Sequence, residues 1–148
     1  MSTATGTPSS DTVPAPAPYP RTLPVADDLD TGGFWAAARR HELVVRACTG
    51  CGAVIHAPRA YCGECGSWDG EWRIVSGRGT VYSWTIVEHQ THPGFAVPYT
   101  LVLVALDDAP ARLLGYLPGR ADLEAGQAMA VRFETLDDGT VLPQWSPA

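Results

Sequence analysis

The chain has 148 residues, 45% of them hydrophobic, and a formal net charge of −6. That length holds one ordinary domain, or a small domain plus a metal-stapled module. Ten Lys plus Arg against sixteen Asp plus Glu leave no basic stripe for a polyanion. No apolar run approaches the ~20 residues of a membrane helix, so the reading is a cytoplasmic protein without a helical span.

Residues 1–29 are largely Ser, Thr, Ala and Pro, with little to bury, and read as a disordered, partly polyproline-like tail. Met1 to Pro20 carries no Lys or Arg and no apolar core, which does not fit a signal peptide. Order is expected from Asp30. Thr31 is placed to cap a helix from Gly32 to about Arg40, with Phe34, Trp35 and Ala38 at helical spacing. Phe34 and Trp35 should clamp that helix on a neighbouring surface, and they become interface anchors if the surface belongs to another chain. Glu42 to Arg46 reads as a short strand, and Val54-Ile55-His56 as its hairpin return.

Between and beyond these strands lie the four cysteines, as two Cys-x-x-Cys pairs: Cys48/Cys51 and Cys62/Cys65. Each pair turns two sulfurs toward one centre, and two facing pairs make the tetrahedral four-thiolate cage of structural zinc. Gly52 and Gly66 follow the second cysteine of each pair, where a positive φ lets the chain turn and aim N–H groups at sulfur. A redox dithiol would occur once, near a βαβ pattern, and paired disulfides need an oxidising compartment. With four thiolates available, His56 reads as a strand residue and not as a ligand. The cage adds two negative charges to the chain's own.

From Trp72 onward the texture is β. Trp72 to Ser76 is a strand candidate. Thr80 to Gln90 alternates, with Tyr82, Trp84 and Ile86 on one face. Tyr99 to Leu106 is apolar enough for a central strand. Arg112 to Leu117, Gln127 to Thr135 and Val141 to Trp145 follow, with Asp137-Asp138-Gly139 as a hairpin turn. Short strands at this spacing suggest a small antiparallel barrel. Gly77 and Gly79 look like a barrel-corner device permitting a bulge or sharp coil. The fold class read here is mainly β: an N-terminal helix, a rubredoxin-like zinc ribbon, then a five-stranded OB-fold barrel as first choice, with an SH3-like barrel or small sandwich second. The divisions are 1–29 tail, 30–71 helix and ribbon, and 72–148 barrel.

One wider pattern joins these pieces. The Phe-Trp helix and four-cysteine ribbon precede Ser76-Gly77-Arg78-Gly79-Thr80-Val81-Tyr82-Ser83-Trp84-Thr85. His92-Pro93, Phe95, Pro98, Tyr99, Val104 to Asp107, Gly126, Val131 to Phe133 and Leu142-Pro143 follow in order. Over residues 30–147 this resembles the zinc-ribbon plus OB-fold family known as DUF35. The chain departs from it at its end, where Gln144-Trp145-Ser146-Pro147 replaces an aromatic-Arg-Pro close. The resemblance implies a non-catalytic accessory subunit in a hetero-oligomer. Its partner would be a thiolase-like enzyme, a lipid-transfer-protein-type aldolase or a MaoC-like hydratase, and it would help bind or channel acyl-CoA.

The residues themselves support an accessory role, since no nucleophile elbow and no phosphate-cradling loop is present. Candidate ligand or partner contacts are Phe34, Trp35, Arg78, Tyr82, Trp84, His89, His92, Phe95 and Tyr99. Two alternatives come from other classes. Single-stranded nucleic-acid binding would use the aromatics but lacks the charge, so no nucleic acid is expected. A weak stand-alone acyl-CoA hydrolase or hydratase would use Glu88, His89 or His92, at a strand end where barrel ligands bind.

Overall fold

A computed structural model describes residues 20–148; most of the expected tail, residues 1–19, lies outside them. In chain order the elements are α1 (Gly32–Ala38), β1 (Val44–Cys48), β2 (Val54–Ile55), β3 (Gly70–Ile74), β4 (Arg78–Val87), β5 (Tyr99–Leu106), β6 (Arg112–Pro118), β7 (Ala128–Thr135) and β8 (Val141–Pro147). They form a three-stranded sheet, order β2-β1-β3, and a five-stranded sheet, order β6-β5-β4-β7-β8. Every pairing is antiparallel.

Helix α1 is shorter than its apolar spacing suggests. Thr31 is its N-cap residue, but the hydroxyl makes no capping bond. It instead donates to Asp28 and accepts from the Trp35 indole N–H. Of the two glycines at the helix start, Gly33 serves packing: a Cβ there would run into the Trp72 indole. Trp72 belongs to β3, and all five β3 residues pair with β1. The strand thus lies in the ribbon sheet and straddles the 71/72 boundary.

The long strand β4 serves two neighbours in turn. Arg78 to Thr80 pair with β7, whereas Gly79 to Val87 pair with β5. The register shifts between Val81 and Ser83, so the bulge sits at Tyr82 and not at the glycines. Gly77 has φ +70 and would press a Cβ into Val131 at 2.4 Å, while Gly79 would meet the Ala105 carbonyl at 2.3 Å. These two glycines let β4 bend closely over its neighbours.

The sheet curls until β6 meets β8. No ladder joins them. Gln144, almost fully buried, accepts the Tyr116 N–H at 2.8 Å through its side chain, and Trp145 packs beneath Gly115. Proline restricts a strand to edge positions, and β8, with Pro143 and Pro147, pairs with β7 alone. Inside lies one core of Val81, Val102, Val104, Leu113, Leu123, Met129 and Trp145, which also takes in Leu43, Val45 and Val75 from the ribbon side. Ribbon and barrel therefore share apolar packing.

Part of the expected tail is anchored. Arg21 pairs with Glu134 on β7 at 2.8 Å and stands over the Tyr116 ring at 5.1 Å, and Thr22 meets His92 at 3.2 Å. Among the described residues no helix is long and apolar enough to cross a membrane.

Candidate metal centre and aromatic surfaces

The two cysteine knuckles are built alike. Gly52 N–H donates to the Cys48 carbonyl at 2.9 Å, and Gly66 N–H to the Cys62 carbonyl at 2.8 Å. Cys48 N–H reaches Ala53 and Cys62 N–H reaches Ser67, both at 2.8 Å. Gly52 (φ +77) and Gly66 (φ +73) hold the left-handed turns the sequence requires. Strand β1 supplies Cys48, and the turn after it supplies Cys51. Cys62 and Cys65 stand on the turn that leads to β3.

The four sulfurs lie within 4.8 Å of one another. Cys48 to Cys65 is 3.6 Å and Cys51 to Cys62 is 3.7 Å. A tetrahedron with Zn–S arms near 2.3 Å has edges of about 3.8 Å. The cage thus matches zinc. The thiols are shifted unequally: N–H groups of Cys65 and Glu64 draw the Cys62 thiol down to about 7. The Ala53 N–H acts likewise on Cys51, but the crowd of sulfurs, Cys65 and Cys62 foremost, outweighs it and pushes that thiol up to about 12. Four thiols this close cannot all ionise unless a cation takes the last protons' place. Cys48 and Cys62 are buried while Cys51 and Cys65 face solvent. His56, just past β2, is not among the clustered ligands.

The other candidate residues fall in separate places. Phe34 and Trp35 meet edge-to-face at 5.0 Å on α1, with Phe34 packed on the main core. Arg78 is exposed at the start of β4. Trp84 lies in register with Val102 and Gly115 on the inner face, yet stays 38% exposed. Tyr82, in the bulge, is 53% exposed and is capped by the Arg112 guanidinium at 3.7 Å. His92, Phe95 and Tyr99 do come together, in a cluster completed by Tyr116 and by Arg21. Burial raises the Tyr116 phenol above its usual value.

Glu88 and His92 take different partners. Glu88 is held by Arg120 at 2.8 Å. His92 accepts the Gly94 N–H with Nδ1 and meets Thr22 with Nε2, so both ring nitrogens are engaged. His89 is exposed. Sequence reasoning missed Arg21, which it placed in the tail; neither Arg21 over Tyr116 nor Arg112 over Tyr82 is legible from spacing. Only tertiary contacts bring the two arginines over aromatic rings.

A four-thiol ribbon packed on a five-stranded curled sheet defines the class: a zinc-ribbon plus OB-fold protein. Residues 35–69 match the rubredoxin-like zinc ribbon domain of ChsH2, and residues 72–134 match its C-terminal OB-fold domain. The chain belongs to the ChsH2/DUF35 family. It is similar to the solved structure titled "Ltp2-ChsH2(DUF35) aldolase", with TM-score 0.72 and 32% identity over 81% of this chain and 95% of that one. A DUF35 protein of unknown function from Sulfolobus solfataricus shares the fold at TM-score 0.51 and 19% identity, over 68% and 75% of the two chains. Among curated proteins, a probable enoyl-CoA hydratase alpha subunit of Thermomonospora curvata is 33% identical over 126 residues, 83% of this chain and 39% of that protein. The 3-oxo-4,17-pregnadiene-20-carboxyl-CoA hydratase alpha subunit of Mycobacterium tuberculosis is 31% identical over 143 residues, 88% and 43% respectively. The chain spans about two-fifths of the length of these curated relatives.

Proposed function

We propose that this chain is an accessory subunit of an acyl-CoA-processing enzyme, docking on a thiolase-like, aldolase or MaoC-like hydratase partner in a hetero-oligomer. One observation carries the reading: the chain covers 95% of a similar chain at 32% identity, and that chain is titled as part of an Ltp2-ChsH2(DUF35) aldolase. Relatives named as hydratase alpha subunits support the same class of partner. In this reading Cys48, Cys51, Cys62 and Cys65 hold a structural zinc, which supplies cross-linking and no chemistry of its own. The helix and ribbon (30–71) brace the barrel (72–148), and Phe34, Trp35, Tyr82, Trp84, Phe95, Tyr99 and Arg78 serve contacts to the partner or to acyl-CoA. His92 positions the Pro20–Thr22 segment, which accounts for its bonds to Thr22 and Gly94 without a catalytic task. The nucleic-acid reading is disfavoured by the net charge of −6.

The test is purification of the tagged full-length chain from its source, followed by turnover assays of the chain alone, the co-purified enzyme alone and the recombined pair. An acyl-CoA aldolase or hydratase whose turnover rises on recombination is the expected outcome. Turnover by the isolated chain at the rate of the pair would overturn it.

A further inference from the structure

Solvent-facing strands of an antiparallel sheet normally alternate apolar inside with polar outside. Strand β5 does not. Val102 and Val104 are wholly buried on its inner face, yet the outer face is also apolar, with Leu101 and Leu103. The register places Leu103 between Ser83 on β4 and Leu114 on β6. Leu114 is 61% exposed and Tyr82, at the bulge beside them, 53%. No element of the described chain covers this centre. At its border stands Arg112, which caps the Tyr82 ring and forms no salt bridge among the described residues. Arg112 also lines a cavity of about 510 Å³, which His56 and the β5–β6 turn (Leu106, Ala109, Pro110) complete.

We propose that the outer face of β4–β5–β6, centred on Leu103 and Leu114, is where the partner enzyme seats. The occupant presents an apolar strip to these leucines and to Tyr82, and a carboxylate to Arg112 at the mouth of the cavity. This rests on the accessory-subunit reading and assigns the contact within it. An apolar centre with a charged aromatic rim is the anatomy of a protein interface. Charge decides against a second copy of the chain. An identical face would offer Arg112 only Asp107 and Asp108 of the β5–β6 turn, of which Asp108 already accepts the Ser76 N–H, and each chain brings a net −6. A nucleic acid would ask for a row of cations, whereas β4, β5 and β6 together carry two, Arg78 and Arg112.

The experiment uses the full chain and the acyl-CoA enzyme that co-purifies with it, made separately and titrated by calorimetry. Leu114→Asp and Arg112→Glu change exposed side chains, so zinc content and elution volume should stay as in the unaltered chain. Leu114→Asp should weaken binding at least about 30-fold, the scale of an interface hot spot. Arg112→Glu should weaken it about tenfold, with a loss that shrinks as salt rises. Unchanged affinity in both variants overturns this assignment and leaves the accessory role standing. Failure of any acyl-CoA enzyme to co-purify overturns both. A wild-type dimer that Leu114→Asp disperses makes a second copy the occupant and likewise overturns the proposal.

Discussion

Removing one zinc ligand, in Cys48→Ser, asks how much of the ribbon the metal holds. Cys48 is 2% exposed at the end of β1, and the ribbon's own cluster is only Cys48, Cys62 and Ile55, with Ala53 against it. Burying Ile55 contributes about 1.5–3 kcal/mol. Ordering the two knuckles, residues 48–52 and 62–66, costs on the order of 15 kcal/mol at ~1.5 kcal/mol per residue. Structural zinc contributes about 10–16 kcal/mol in small peptides. The terms close only with the metal present, so a serine at 48 should melt the knuckles. The sheet base should survive, because Leu43, Val45 and Val75 are packed in the barrel core. Elemental analysis should find zinc near one per wild-type chain and near zero in the variant. Hydrogen exchange should show fast amides at 48–52 and 62–66, with slow ones kept at Val102 and Val104. Full zinc occupancy in the variant, or knuckle amides as slow as before, would refute the reasoning.

Other perturbations probe the barrel and its entry. In Gly115→Ala the new Cβ would meet Trp145 at 2.4 Å, so overpacking should cost about 1–3 kcal/mol in a urea melt followed by tryptophan fluorescence. Gln144→Leu leaves the Tyr116 N–H without its acceptor at the β6/β8 seam and should cost about 1–3 kcal/mol, with exchange quickening first at Tyr116. Asp28 accepts the Thr31 N–H and hydroxyl, which hold its carboxyl below the usual value, the backbone bond contributing most. A lowered folded value means the contribution is present above the ordinary carboxylate pKa and fades as pH falls through the lowered one. Acid titration by NMR should therefore release the Thr31 hydroxyl contact below pH ~4, and Asp28→Ala should abolish that step.

Much of the metal centre is legible in the sequence because its rules are local. Cys-x-x-Cys spacing fixes where two sulfurs go, and a glycine after the second cysteine fixes the turn, so Gly52 and Gly66 appear with the positive φ their positions demand. The turn at Asp137-Asp138-Gly139 is local in the same way, with Gly139 at φ +86. Strand identity is likewise readable from apolar runs such as Tyr99 to Leu106. Partnership is not. Periodicity cannot say that β3 pairs with β1, nor that the bulge falls at Tyr82 in place of Gly77 and Gly79. Periodicity likewise cannot say that Glu88 pairs with Arg120 and His92 with Thr22, each contributed by a distant segment.

The sequence by itself determined the four-sulfur cage, the mainly β character and the absence of a basic stripe, since spacing, composition and charge belong to the chain before it folds. Tertiary structure alone decided which surfaces remain open. A continuous apolar run tells only that β5 seeks cover on both faces. Whether each face finds it depends on which elements the curled sheet brings across, and here the inner face meets Leu113 and Trp145 while the outer one, around Leu114, meets water.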